Sequence, residues 1–273
     1  MHWLPFVVAL VVAAIVAPAG VRGLVEAGHT KPNFRAREVA FPLGALVVAA
    51  AVLTLVPVAL VERLGSGHEL YGDELTLWLF VLGVALLGLI DDELGGSTHG
   101  VRRHAADMLH ARLSTGAVKA LGTIGLALLI LSSHGPTFTR ELLGVAVLAL
   151  STHVFNLLDR RPGRAIKAFV ALAAALSLAA TTLRPLWALG LFVAPVLVLG
   201  AYDLRERGML GDTGSAIVGG LAGLWIVLTA SVPGEIVAGA VLLIIALYGE
   251  FRSISTLVDR TPGLRALDSW GRP

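Results

Sequence analysis

Five aspartates sit where apolar stretches end or begin. Asp91 and Asp92 close Gly-Leu-Ile-Asp-Asp, Asp159 closes Asn-Leu-Leu-Asp, Asp203 follows a long apolar run, and Asp212 opens Gly-Asp-Thr-Gly-Ser. Acids at the edge of hydrocarbon are costly unless hydrated, paired or metal-bound, which makes each a candidate for function. The structural alternative is helix capping. It suits Asp212, an acid ahead of a first turn, and suits Asp91 least, because a carboxylate at a helix C-terminus meets an unfavourable dipole. Two adjacent acids in that position want a cation. With oxygen donors and no cysteine in the chain, the chemistry favours Mg²⁺, with Mn²⁺ open, over zinc. Mg²⁺ takes one or two protein carboxylates and leaves its other positions to water and phosphate oxygens. Lys31, Arg35, Arg37, Lys119, Arg160, Arg161, Arg164 and Lys167 are interleaved with these acids. Orientation in a membrane would account for basic residues as such, but not for their interleaving. Carboxylates, a cation and arginines together describe a site for a diphosphate.

The elements that must hold these residues are membrane helices. Of 273 residues, 56% are hydrophobic and only 15% charged, and the mean hydropathy is +0.82. Apolar runs predict nine helical spans at 3–20, 41–61, 74–91, 117–133, 141–158, 165–183, 186–202, 213–230 and 235–250. At about 20 residues each, they leave no room for a soluble domain, so 1–273 reads as one all-α, polytopic transmembrane helical bundle. The first run lacks the basic residues that precede a signal core and reads as a span. With the N-terminus outside, the inner segments hold 18 of the 21 Lys and Arg, and the outer turns only Arg63, Arg140 and Arg184. That bias puts the C-terminus in the cytoplasm and all five aspartates on the inner face. Trp3, Trp78, Trp187 and Trp225 near span ends read as interfacial anchors. His99, His104 and His110, with Arg102, Arg103 and Arg112, read as a solvated amphipathic stretch on the membrane, with contact to a lipid phosphate as the sharper option. A net charge of +2 without a basic, aromatic-interleaved stripe excludes nucleic acid as a partner.

Taken in order, several segments resemble the polyprenyl-phosphate N-acetylhexosamine-1-phosphate transferases, the superfamily of phospho-MurNAc-pentapeptide translocase and the GlcNAc-1-phosphate transferases. Lys31-Pro32-Asn33-Phe34-Arg35 with Pro42-Leu43-Gly44 is similar to the first cytoplasmic loop of the GlcNAc-1-phosphate branch. Gly88-Leu89-Ile90-Asp91-Asp92 is similar to the family's Asp-Asp motif, and Thr115-Gly116-Ala117-Val118-Lys119 to the stretch with its loop lysine. Asn156-Leu157-Leu158-Asp159, then Gly163 and Ala165, follow the Asn-x-x-Asn-x-x-Asp-Gly-x-Asp-Gly-Leu-Ala pattern from its second Asn. Gly211-Asp212-Thr213-Gly214-Ser215 resembles the Gly-Asp-x-Gly-Ser motif. The departures are His153 for the first Asn, Pro162 for the second Asp, and Arg160 and Arg164 for Gly and Leu. The His-rich loop and a tenth span are also missing, which argues against the pentapeptide translocase and for a short, divergent branch.

The resemblance implies a multi-pass enzyme of the bacterial inner membrane that moves a sugar-1-phosphate from a UDP-sugar to a polyprenyl (undecaprenyl-type) phosphate. UMP would be released, in cell-wall or surface-glycan synthesis. It implies that Asp91 and Asp212 hold Mg²⁺, that Asp92 orients the acceptor or acts as its base, and that Asn156 and Asp159 shape the nucleotide side. Lys31, Arg35, Lys119, Arg160, Arg161 and Arg164 would bind phosphates; a homodimer is open. A transporter would want ionisable residues at mid-membrane and inverted repeats; the span interiors are almost free of charge. A catalytically degenerate scaffold that binds lipid phosphate is the other alternative.

Overall fold

The computed structural model describes residues 3–64, 74–95, 114–132 and 137–273, and the stretch with His99, His104 and His110 lies outside them. Helix α1 is Leu4–Glu26, followed by strands β1 (Thr30–Pro32) and β2 (Glu38–Ala40), then α2 (Leu43–Leu64) and α3 (Glu74–Leu94). Next come α4 (Thr115–Leu131), α5 (Phe138–Leu158), α6 (Arg164–Ala179), the short α7 (Arg184–Ala188) and α8 (Gly190–Leu204). Helices α9 (Gly211–Thr229) and α10 (Val232–Phe251) complete the bundle, and α11 (Ile254–Arg260) and α12 (Pro262–Ser269) follow. Leu, Val and Ala dominate the long helices and propagate them well, while proline falls within the first two residues of α1, α7, α10 and α12, where its missing N–H costs nothing.

Among the described residues, six helices, α1, α2, α3, α5, α9 and α10, are long and apolar enough to cross a membrane; α4 and α8 are apolar but shorter. The chain is a multi-pass membrane protein of helical architecture. Every expected span coincides with a helix. The one at 186–202 is divided at Leu189 into α7 and α8, however, and beside the break Gly190 faces Phe6, whose Cβ lies 2.6 Å from where a Cβ at 190 would stand. The carbonyl of Ala188 then accepts the indole N–H of Trp78 at 2.7 Å.

Helix α9 is the axis of the fold. Its side chains from Thr213 to Ile226 are buried without a break, against α2, α3, α5 and α6. Small residues allow the approach. A Cβ on Gly88 would strike the backbone of Asp212, and one on Gly44 the backbone of Thr213 and Gly214. Helix directions alternate, so the ends of α3, α5, α8 and α10 and the starts of α4, α6 and α9 gather at one end, hereafter the site end. At the far end Phe6 meets Trp187 edge-on at 5.9 Å, and Arg140 pairs with the buried Glu235 at 3.3 Å. Leu86, Leu129, Leu178 and Ile244 face outward, as an apolar belt toward lipid should.

Two of the expected interfacial tryptophans are instead buried. Trp78 bonds to Ala188, and Trp225 donates to Ser177 Oγ at 3.0 Å while meeting Phe169 edge-on at 5.8 Å. An indole N–H with a buried acceptor is free of the need for an interface.

The two glycine contacts with α9 generate the first prediction. Gly44→Ala and Gly88→Ala should each destabilise the bundle by about 1–3 kcal/mol through overpacking against main chain. Gly23→Ala, with nothing within 4 Å of the new methyl, should leave the thermal midpoint in detergent unchanged. Equal midpoints for all three variants would refute this packing.

Candidate functional site

The start of α9 is where the sequence motifs meet. Gly211 has φ +74°, and a Cβ there would lie 2.8 Å from both Asp92 Oδ2 and Pro42 Cβ, so only glycine turns the chain here without strain. The turn aims the first N–H groups of α9 at the end of α3. Asp92 Oδ1 accepts the Asp212 N–H at 2.8 Å; its Oδ2 accepts the Thr213 N–H at 2.8 Å and the Thr213 hydroxyl at 2.6 Å. The cap of α9 is therefore Asp92, supplied from another helix, and not Asp212. With both oxygens engaged and the residue buried, Asp92 fixes the start of α9, and it also lines the cleft that opens beside it. Its bonds also remove these N–H groups from any phosphate-binding role.

The segment ahead of α9 is stitched to the β-hairpin. Met209 N–H donates to the Ala40 carbonyl at 2.9 Å, and Leu43 and Gly44 donate back to Met209 and Leu210 at 2.8 and 3.0 Å. The hairpin brings Lys31 to the site, where its ammonium lies 3.8 Å from the Phe41 ring centroid and donates to the Asp92 carbonyl at 3.3 Å.

Asp212, released from capping, turns outward. Its Oδ1 accepts from Lys119 Nζ at 2.6 Å and from Asn156 Nδ2, and Lys119 also stands 3.5 Å from Asp91 Oδ2. Four helices thus contribute one side chain each to a single constellation. Lys119 owes its place to Ser114, whose side chain accepts the Ala117 N–H and starts α4 there. The group opens into a cleft of about 910 Å³, which Asp159, Arg160, His153 and Glu250 also line. Burial raises the Asp159 carboxyl well above the ordinary carboxylate value. The charges of Asp203, Asp212 and Asp92 raise it further, and Lys119 opposes them.

Among the described residues, no three His, Cys, Asp or Glu side chains come together as a complete metal cage. The donor set nevertheless fits an ion that needs only two protein oxygens. The Asp91 and Asp212 carboxylates converge on one position, and a cation, the Lys119 ammonium, lies there. Their partial exposure, 20% and 36% of the side chains, leaves room for water and phosphate oxygens.

Of the basic residues expected to bind phosphates, Lys31, Lys119 and Arg160 line the cleft, and three do not. Arg164 is buried in a two-pronged bond to Asp268, at 2.7 and 3.0 Å, with Ser255 at 3.0 Å. Arg161 lies 3.8 Å from Asp259 and over the Phe34 ring. Arg35 pairs with Glu206 at 3.3 Å and donates to the Pro273 carbonyl. For Arg164 the cause is the turn at Pro162-Gly163. Gly163, at φ +71°, donates its N–H to the buried Asp203 at 2.6 Å, so the chain enters α6 with Arg164 pointing away from the cleft.

The structure also brings together two residues not expected in the site, His153 and Glu250, whose Nε2 and Oε1 are 3.7 Å apart across the cleft wall. His153 reads from the sequence only as a departure at the first Asn of the motif, three residues before Asn156 on the same helical face. Glu250, at the end of its span ahead of Arg252, reads from the sequence as a helix cap or an Arg partner.

Two variants test this division of the acids. Asp92→Asn exchanges an acceptor for a donor against the Thr213 and Asp212 N–H groups. It should cost about 1.5–3 kcal/mol, the value of hydrogen bonds to a charged group, read as a lower thermal midpoint; an unaltered midpoint would remove Asp92 from the cap. Asp159→Asn should act in the opposite sense. An acid whose folded pKa is raised costs stability above that pKa and costs nothing below its unfolded value, about 4. The variant should therefore melt higher than wild type at neutral pH, with the gain vanishing toward about pH 4. A gain independent of pH would contradict the raised pKa.

Comparison with known proteins finds no family model that matches the chain and no curated protein that matches its sequence.

Proposed function

We propose that the protein transfers a sugar-1-phosphate from a UDP-sugar to a polyprenyl phosphate at the cytoplasmic face of a bacterial inner membrane, releasing UMP. The observation that carries this reading is the convergence of Asp91 and Asp212 on the Lys119 cation inside an open cleft at one end of a membrane bundle. A lipid phosphate confined to the bilayer meets a water-soluble nucleotide only at such an end. All nine expected spans, with α7 and α8 together as one of them, are read as crossing the membrane, with the site end inside.

Asp91 and Asp212 would hold Mg²⁺, which supplies charge neutralisation on the donor diphosphate. Asn156 keeps Asp212 oriented by donating to its Oδ1. Lys119, Lys31 and Arg160 offer positive charge to phosphate oxygens. The acceptor phosphate, with a second pKa near 6, is largely a dianion and needs little help from a base. Positioning and charge compensation therefore dominate, as in phosphoryl transfer generally. Asp159 lies beside Arg160 on the same wall and contributes to the nucleotide side.

Purified protein, Mg²⁺, undecaprenyl phosphate and a panel of UDP-sugars should release UMP with at least one donor, and EDTA should stop the release. Asp91→Asn and Asp212→Asn should each lower kcat about a hundredfold, the loss expected for one electrostatic stabiliser. Arg160→Lys should raise the donor KM, since it keeps charge but loses the fork, whereas Arg164→Lys should leave that KM unchanged. No UMP from any donor, with polyprenyl phosphate still bound, would replace the enzyme reading by a lipid-phosphate scaffold.

Orientation has its own test, which the absence of native cysteine makes clean. Cysteines at the exposed Thr137 and Ser231 should react with impermeant reagent on intact cells, and those at Ser253 and Ser269 only after permeabilisation. Labelling of Ser269 from outside would invert the topology.

A further inference from the structure

Beyond α10 the chain does not leave the bundle. Arg164 grips Asp268 with two bonds, and Arg272 donates to Asp268 at 2.9 Å and to the Pro162 carbonyl at 2.8 Å. Lys167 donates to the carbonyls of Leu267, Asp268 and Trp270 at 2.9, 2.5 and 3.1 Å. Burial alone would raise the Asp268 carboxyl, but the bonds from Arg164 and Arg272 outweigh it and hold it below the ordinary carboxylate range.

These bonds set the position of the α11–α12 hairpin. Lys167 lies one turn inside α6, and its ammonium fixes the end of α12 beside the start of that helix. Held there, the hairpin exposes Leu257, Leu264, Leu267 and Trp270, the last two by 65% and 75%. Phe251, at the end of α10, and Val170, on α6, are exposed apolar residues as well. The charge left over is positive. Asp259 and Asp268 are paired with Arg161, Arg164 and Arg272, while Arg260 and Arg265 are exposed and pair with no acid among the described residues.

We propose that α11–α12 is a membrane-surface clamp, its apolar face seated at the boundary of headgroups and acyl chains, and that Arg260 and Arg265 bind anionic lipid headgroups. An amphipathic helix with tryptophan and arginine at its edges is suited to that boundary, and basic residues there are drawn to anionic lipid. Eight residues would bind a membrane weakly as a free peptide. Tethered to the bundle, the hairpin has already lost the translational freedom that binding would otherwise remove. The inference is independent of the proposed reaction, because it rests on tethering, apolar exposure and unpaired charge.

The full-length protein in nanodiscs tests it, with an environment-sensitive fluorophore on Leu267→Cys or, on the opposite side of α12, on the exposed Ser269→Cys. In discs of phosphatidylcholine and phosphatidylglycerol, the label at 267 should emit at shorter wavelength, resist aqueous iodide and be quenched by spin-labelled lipid; the label at 269 should remain open to iodide. Spin-labelled phosphatidylglycerol should quench the 267 label more than spin-labelled phosphatidylcholine at equal mole fraction. Arg260→Gln with Arg265→Gln should abolish that excess without exposing the label. Iodide quenching at 267 equal to that at 269 would place the face in water and overturn the clamp. Protection from iodide without quenching by either lipid would mean that a protein surface covers it, and would overturn it as well. Equal quenching by the two lipids would remove the headgroup site.

Discussion

The carboxylate of Asp92 and three donors at the start of α9 form the junction on which the site end is built. Helix α9 is buried along nearly its whole length, so its first N–H groups lack water to bond and require a partner from the protein. Asp92 supplies it from the end of α3, and Gly211 makes room for the approach. Once that junction is closed, the position of Asp212 relative to Asp91 follows, since each is the chain neighbour of a member of the cap. The spacing of the candidate metal ligands is thus a consequence of helix capping rather than a separate feature.

The same junction separates acids that look alike. Asp92 and Asp203 are buried with their oxygens engaged, Asp92 by two backbone N–H groups and the Thr213 hydroxyl at the cleft wall; Asp91, Asp159 and Asp212 face the cleft. Asp159, with no bond to its carboxylate among the described residues and a raised pKa, carries a cost to folding. Such costs collect where a protein needs a reactive group rather than a stable one.

The basic residues divide in the same way. Counted along the chain, they make a strong charge bias; in space, Arg35, Arg161, Arg164, Lys167 and Arg272 hold the loops and the C-terminal hairpin to the bundle. Guanidinium suits this work because its planar fork satisfies a carboxylate with two bonds at once, as Arg164 does with Asp268. What remains for a soluble anionic ligand is a smaller set, Lys31, Lys119, Arg160 and Arg252, around one cleft.

By itself, the sequence determined where the helices lie, because hydropathy is a local sum and a run such as 74–91 needs no partner to be recognised. It also determined that acids and bases meet at span ends, since charge at the edge of hydrocarbon is conspicuous in any single segment. Only the tertiary structure decided which acid caps and which faces the cleft, that Arg164 is buried while Arg160 is open, that Trp78 and Trp225 belong to the core, and that Glu250 stands opposite His153. Each of those outcomes is a pairing across long stretches of chain, 120 residues for Asp92 with Asp212 and 104 for Arg164 with Asp268. The choice among several chemically equivalent partners is made by the packing of α9 and the turn at Gly163, neither of which a local reading of residue types contains.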